Sequence, residues 1–267
     1  MNGLGLDSLG GAPLHALFVL LGTAAAMLAF AASAHHRRVF DFQLLALLAG
    51  AILCGALGAK LAVLWRYLDR ETAPSLLGLI VAGGQSVLGG LSGAYAGVIA
   101  TKRLIGYSAG TGDLFAPAVA LGIGIGRFGC LLTETPGSPT GARWGVVVDA
   151  GRAARIAGFP KAWIGVPLHP SFAYEIAFHF AMAALLLRLR SRGALRDELF
   201  KLYCLAYAPF RFLVEMVRGN PAVWHGLTRS QLFLIPAIPL LALAFFARRR
   251  NALPPLNALA ELGPSAR

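Results

Sequence analysis

Long apolar runs, broken by short clusters of charge, set the pattern of this chain. A helix needs about 20 apolar residues to cross a hydrocarbon core of about 30 Å, and seven runs reach or approach that length: 13–34, 43–68, 76–100, 114–133, 170–189, 199–217 and 231–247. The pattern predicts an all-α integral membrane protein with about seven transmembrane helices, read as a single polytopic membrane domain over residues 1–267. The third and fourth runs are rich in glycine, with GGQSVLGGLSGAYAG at 83–97 and GIGIGRFG at 122–129. Small residues let helix backbones approach closely in a membrane; a glycine-rich segment also leaves room for a lipid head group, and spacing does not choose between the two. Outside the runs, only 134–168 is long enough to build a substructure. It is turn-rich at first (ETPGSPTGAR) and then reads WGVVV, which predicts a short strand in a small outer cap between helices four and five.

Composition agrees with the pattern. Hydrophobic residues make up 57% of the chain and charged residues 13%, with a mean hydropathy of +0.66; a soluble chain carries about 25% charge and needs it to cover its surface. The net charge is nevertheless +12. Nucleic-acid binding needs contiguous basic patches on a polar surface, whereas these basic residues punctuate apolar runs, so no nucleic-acid partner is expected. Their placement instead orients the helices. With the N-terminus outside and the C-terminus inside, thirteen of the 24 basic residues fall on the inner side, among them Arg188, Arg190, Arg192 and Arg196 and the run Arg248, Arg249, Arg250. Eight fall outside, four of them in the one long loop, where the positive-inside rule is weak. The inner clusters also attract anionic membrane lipids. The first dozen residues hold Asp7 and no Lys or Arg, the reverse of a signal-peptide n-region, so the first span is expected to be retained. Cys54, Cys130 and Cys204 all lie in predicted helices without paired spacing, so neither disulfides nor a metal site is expected.

Three basic residues remain inside the spans, Lys60, Arg127 and Arg211, together with two acids, Glu175 and Glu215. Each costs about 2.5–3.5 kcal/mol at a helix centre unless it faces a partner or a polar interior. Arg211, Glu215 and Arg218 follow at spacings of four and three, on one face of the sixth helix, which suits either an internal ion pair or a site. Arg127 has no acid within four positions and is flanked by glycines. A guanidinium so placed, joined by Arg211 from another helix, suits a phosphate through forked, charge-assisted hydrogen bonds. HPSFAYE at 169–175 opens the fifth helix: Pro170 and Ser171 suit a helix start, and Tyr174 and Glu175 lie about a turn deeper. His169, at the membrane edge, is either structural or a proton exchanger near neutral pH.

Six motifs in order then resemble the prolipoprotein diacylglyceryl transferase family of bacterial seven-helix membrane enzymes. They are GALGAKLAVLW (55–65), GGQSVLGGLSG (83–93), GRFGC (126–130), HPSFAYE (169–175), YAPFRFLVEMVR (207–218) and GLTRSQLFLIP (226–236). The resemblance implies a multi-pass protein of the bacterial cytoplasmic (inner) membrane. It also implies transfer of the diacylglyceryl group of phosphatidylglycerol to the lipobox cysteine of a prolipoprotein, releasing glycerol phosphate, with no cofactor. The family's essential arginines fall on Arg127 and Arg211. Tyr207 and His169 join them as catalytic candidates, with Gly89 and Gly90 giving the lipid room. Lys60, Glu134, Tyr174, Glu175 and Glu215 are the remaining substrate-binding candidates.

This chain departs from the family pattern at several positions. Leu88 stands where the family usually has a histidine, Cys130 where it has an asparagine, and His15 lies near the place of an expected tyrosine. Glu134 corresponds to the family's acidic residue, before the insertion TPGSPTGA. An apolar Leu88 cannot carry a proton, which leaves base catalysis to another group such as His169 or implies a different acceptor. The departures also support a runner-up reading, a non-catalytic phospholipid-binding paralogue of the same fold. A transporter would be expected to show repeats in corresponding halves, and none is visible.

Overall fold

The computed structural model describes residues 12–39, 41–64 and 86–250. In chain order its helices are α1 (Ala12–His36), α2 (Phe42–Leu64), α3 (Val87–Ile105), α4 (Gly112–Thr133), the single turn α5 (Ala150–Ala153), α6 (Ser171–Ser191), α7 (Leu199–Glu215) and α8 (Arg229–Arg250). Of these, α1, α2, α4, α6 and α8 are long and apolar enough to cross a membrane. The chain is an all-α integral membrane protein. The predicted third span, 76–100, is described only in part, because 76–85 lie outside the described residues, as do 65–68 of the second. Where it is described, the helix runs five residues further than predicted. Lys102 and Arg103 belong to its last turn, where basic side chains favour the carbonyl end of the helix dipole. Gly106 then stops it in the left-handed conformation (φ 65°), with its N–H returning to the Lys102 carbonyl.

Contacts divide the chain into two compact units, Phe30–Gly110 and Met1–Ala29 with Thr111–Arg267. In the first, α2 and α3 meet through glycines. A Cβ added to Gly93 would fall 3.0 Å from Gly58 Cα and against the Cys54 carbonyl, and one on Gly89 would collide with Ala62 and the Gly58 carbonyl. At Gly90 the nearest atom is 3.5 Å away, the Ala59 methyl. Ser86 caps α3 by accepting the Gly89 N–H at 3.2 Å. Gly93→Ala is therefore expected to destabilise the protein by about 1–3 kcal/mol. Gly90→Ala is expected to be neutral, or stabilising by up to about 1 kcal/mol through helix propensity. Thermal unfolding of both variants in detergent reads the difference, and equal melting temperatures would contradict this packing.

In the second unit α4 is the most enclosed helix, and its glycines are divided between two neighbours. Cβ atoms on Gly122 and Gly129 would meet α1, at 2.8 Å from Ala26 Cβ and 3.1 Å from Phe18 Cβ respectively, while one on Gly124 would lie 3.3 Å from His179 Cβ on α6. The GIGIG run is thus helix packing without a break in the helix.

Between α4 and α6 the chain folds a small cap. Strands β1 (Val146–Val147) and β2 (Pro167–Leu168) pair antiparallel, with Val146 opposite Leu168, so the strand expected in WGVVV is present. Asp149 caps α5 by accepting the Arg152 N–H at 2.7 Å. Val148, Ala153, Ile156 and Leu168 form a separate core, covered by Phe159, Trp163 and Val166. The cap is tied to helix ends: Ser138 N–H donates to the Val217 carbonyl at 2.8 Å, Arg152 donates to the Leu131 carbonyl at 2.9 Å, and Ser171 donates its hydroxyl to the Pro136 carbonyl. Gly219 (φ 71°) lies against Trp163, where an added Cβ would come within 2.8 Å of the indole.

A buried arginine–glutamate network as the candidate active site

α4 ends at the cap, α6 begins there, and α7 ends on the same side. The charged residues of all three helices therefore meet at one level. Arg127 lies two turns before the end of α4, Glu175 in the first two turns of α6, and Arg211 and Glu215 at the end of α7. On α7, Tyr203, Tyr207, Arg211 and Glu215 recur every four residues, which aligns them as one buried stripe; all four are buried.

Glu175, fully buried, is the centre of the network. Its carboxylate meets Arg127 Nη2 at 2.5 Å and Arg218 Nη1 at 3.1 Å. Arg211 pairs with Glu215 one turn along its own helix. Glu215 also accepts from Asn220 at 2.8 Å and from the Thr228 hydroxyl at 2.9 Å. Gln231 supports Thr228, accepting its backbone N–H at 3.0 Å. A buried charge this well paired and hydrogen-bonded is tolerable in a low-dielectric interior. The balance is still positive: three guanidiniums face two buried carboxylates, and Glu134, the third acid, is 41% exposed. Arg127 Nε is buried without a hydrogen-bond partner among the described residues.

Arg218 is where the sequence reading needs correction. Its spacing places it on the Arg211–Glu215 face of the sixth helix, and the charge pattern counts it among the outer charges. α7 instead ends at Glu215, and the turn that follows carries Arg218 back over the Phe172 ring, 4.3 Å from its centroid, to Glu175 and to Glu134 at 3.6 Å. Burial lowers its pKa from the ordinary value, against the pull of Glu175.

Other predicted site residues are distributed as follows. Tyr207 lies beside Arg127, its ring 4.9 Å from that of His179 and stacked on Tyr203 at 6.1 Å. Tyr174 and His169 form their own pair, hydroxyl to Nδ1 at 3.3 Å, with the Trp144 ring edge-on to His169. Lys60, Gly89 and Gly90 belong to the other unit, where Gly89 is occupied by packing against α2. Besides Arg218, the sequence reading missed His179, which lies fully buried one turn after Glu175 and bonds the Tyr203 hydroxyl at 2.9 Å. Its spacing of four from Glu175 was the available signal.

Residues 10–247 match the prolipoprotein diacylglyceryl transferase family. The chain belongs to that family. Among its relatives, the phosphatidylglycerol–prolipoprotein diacylglyceryl transferase of Pseudomonas paraeruginosa is 32% identical over 216 residues, 77% of this chain and 76% of the relative. The transferase of the same name from Bordetella bronchiseptica is 29% identical over 197 residues, 71% of this chain and 70% of the relative. That of Finegoldia magna is 32% identical over 128 residues, and there the aligned stretch spans 46% of the relative, about half its length. The match to the family takes in every residue of the arginine–glutamate network.

Proposed function

We propose that this chain is a phosphatidylglycerol–prolipoprotein diacylglyceryl transferase of the bacterial cytoplasmic membrane, with the arginine–glutamate network as its active site. The observation that carries the reading is the excess of buried guanidinium over buried carboxylate inside a membrane protein, with Arg127 Nε lacking a hydrogen-bond partner among the described residues. A phospholipid phosphate supplies the anion this arrangement lacks, and Arg127 and Arg211 bind it by charge-assisted hydrogen bonds. When the acceptor sulfur attacks the glyceryl carbon, the C–O bond to phosphate breaks and its electron pair leaves with glycerol phosphate. Preorganised cations stabilise that departing charge without reorganising. Glu175 and Glu215 hold the arginines in place, and Tyr207 offers a phenol beside Arg127. The acceptor thiol reacts as its thiolate, which an ordinary thiol of pKa about 8.5 forms only in part near neutral pH.

The chain forms one polytopic membrane domain, N-terminus outside and C-terminus inside, with residues 134–168 as the outer cap over the network. That orientation meets the prolipoprotein on the side to which it is exported. His169 and Tyr174, a hydrogen-bonded pair on the cap side, line the approach of the acceptor. Purified protein incubated with phosphatidylglycerol vesicles and a lipobox peptide is expected to yield a diacylglyceryl thioether, read by mass spectrometry, and Arg127→Ala to yield none. A wild-type protein that binds phosphatidylglycerol but forms no adduct would replace this reading with that of a phospholipid-binding paralogue, the role that Leu88 and Cys130 otherwise suggest.

A further inference from the structure

Three side chains of types that can ligate a metal converge next to Arg127, and the sequence reading places only Glu134 among them at the site. Cys130 and Glu134 stand four apart at the end of α4, and His15 comes from α1, where Gly129 lets the helices touch, an added Cβ there falling 3.1 Å from the His15 carbonyl. His15 Nδ1 lies 3.9 Å from Cys130 Sγ and 3.6 Å from Glu134 Oε1, and all three ligand atoms lie within 4.8 Å of one another. The 3.6 Å separation is too long for a nitrogen–oxygen hydrogen bond, and 3.9 Å is at the far end for a thiol. Both are close to the edges of a zinc tetrahedron, about 3.4–3.6 Å for zinc–ligand distances of about 2.0–2.3 Å. Glu134 presents Oε1 to this cluster and keeps Oε2 towards Arg218.

We propose that His15, Cys130 and Glu134 form a three-ligand zinc site that activates the acceptor thiol, a role that rests on the transferase reading above. Thiolate, imidazole and carboxylate together suit zinc. A zinc dication with one thiolate and one carboxylate is neutral, so the site places no net charge beside Arg127. Three protein ligands leave a fourth position open, the arrangement of catalytic rather than structural zinc. A thiol entering that position is deprotonated by the metal, its proton passing to water at the cap side, where His15 and Glu134 are partly exposed. The metal-held sulfur then forms the C–S bond to the glyceryl carbon as the C–O bond breaks and the electron pair leaves on phosphate. The two halves of this reaction are adjacent, since Arg127 Nη1 lies 3.6 Å from Cys130 Sγ.

The test is cobalt substitution of the full-length protein in detergent after chelator treatment, followed by transfer assays with and without added zinc. A thiolate-to-cobalt charge-transfer band is expected in the wild type, lost in Cys130→Ala and kept in Cys54→Ala. His15→Gln and Glu134→Gln, at partly exposed positions, are expected to weaken metal affinity by at least the roughly 10- to 100-fold that loss of a group merely orienting a ligand costs, without loss of fold, which covers the case in which Cys130→Ala fails to fold. Chelation is expected to lower transfer by a similar factor and zinc to restore it. Transfer that is indifferent to chelation, or a wild type without the cobalt band, would overturn the zinc site and leave the transferase reading standing. A cobalt band that strengthens on adding lipobox peptide, with no adduct formed, would support the site and sink the transferase reading.

Discussion

Replacing Glu175 with Gln is expected to destabilise the protein by about 3–5 kcal/mol, the cost of leaving a buried charge unpaired. The side chain is fully buried and is the shared counter-ion of Arg127, at 2.5 Å, and Arg218, at 3.1 Å. Glutamine keeps its shape and removes its charge, so two guanidiniums in a low-dielectric interior lose their common partner while packing is unchanged. The measurement is thermal unfolding in neutral detergent, with and without phosphatidylglycerol. Because an anionic lipid replaces part of the missing charge, added phosphatidylglycerol is expected to raise the melting temperature of the variant more than that of the wild type. A variant as stable as the wild type in neutral detergent would show that Glu175 does not hold the network together.

Arg127→Lys tests the chemistry separately from the stability. Lysine retains the positive charge and can still pair with Glu175, but it is a point charge without the planar fork. In the wild type, Nη2 meets Glu175, Nη1 meets Cys130 and Nε has no hydrogen-bond partner among the described residues; one ammonium cannot supply all three directions. Transfer of diacylglycerol to a lipobox peptide is expected to fall by about 10²–10³-fold, the scale set by loss of one preorganised transition-state donor, while the melting temperature stays near that of the wild type. Undiminished turnover would remove Arg127 from the active site. A parallel loss of stability would make its role structural.

Much of the helix plan is written in local pattern. The spans of α1, α4, α6 and α8 were predicted to within a few residues, because an apolar run of membrane length has almost no alternative to a helix when every backbone polar group must be satisfied within the segment. α3 ends later than the pattern predicts, because an apolar run stops at Lys102 and Arg103 whereas the last turn of a helix accommodates them. The same local logic singled out Arg127, Arg211, Glu175 and Glu215, since the membrane penalises unpaired charge so heavily that any survivor has a reason to be there. Pairing was harder to see. Arg211 with Glu215 is a four-residue spacing on one helix, whereas the partner of Arg127 lies 48 positions away on another.

What the sequence determined by itself, then, is the class of protein, the residues whose burial needs explanation and, through six ordered motifs, the family. These depend on residue type and on spacing along the chain. Only the tertiary structure decided which charge meets which. Arg218 leaves the helical register after Glu215 and folds back over Phe172 onto Glu175. The α4 glycines proved to be divided between α1 and α6, and the close approach they permit places His15 beside Cys130 and Glu134, 115 residues from the cysteine in sequence. The physical reason is that ion pairs and ligand sets depend on distances of a few ångströms between helices. Those distances are set by how small residues let backbones pack, and a pattern read along one chain contains no measure of them.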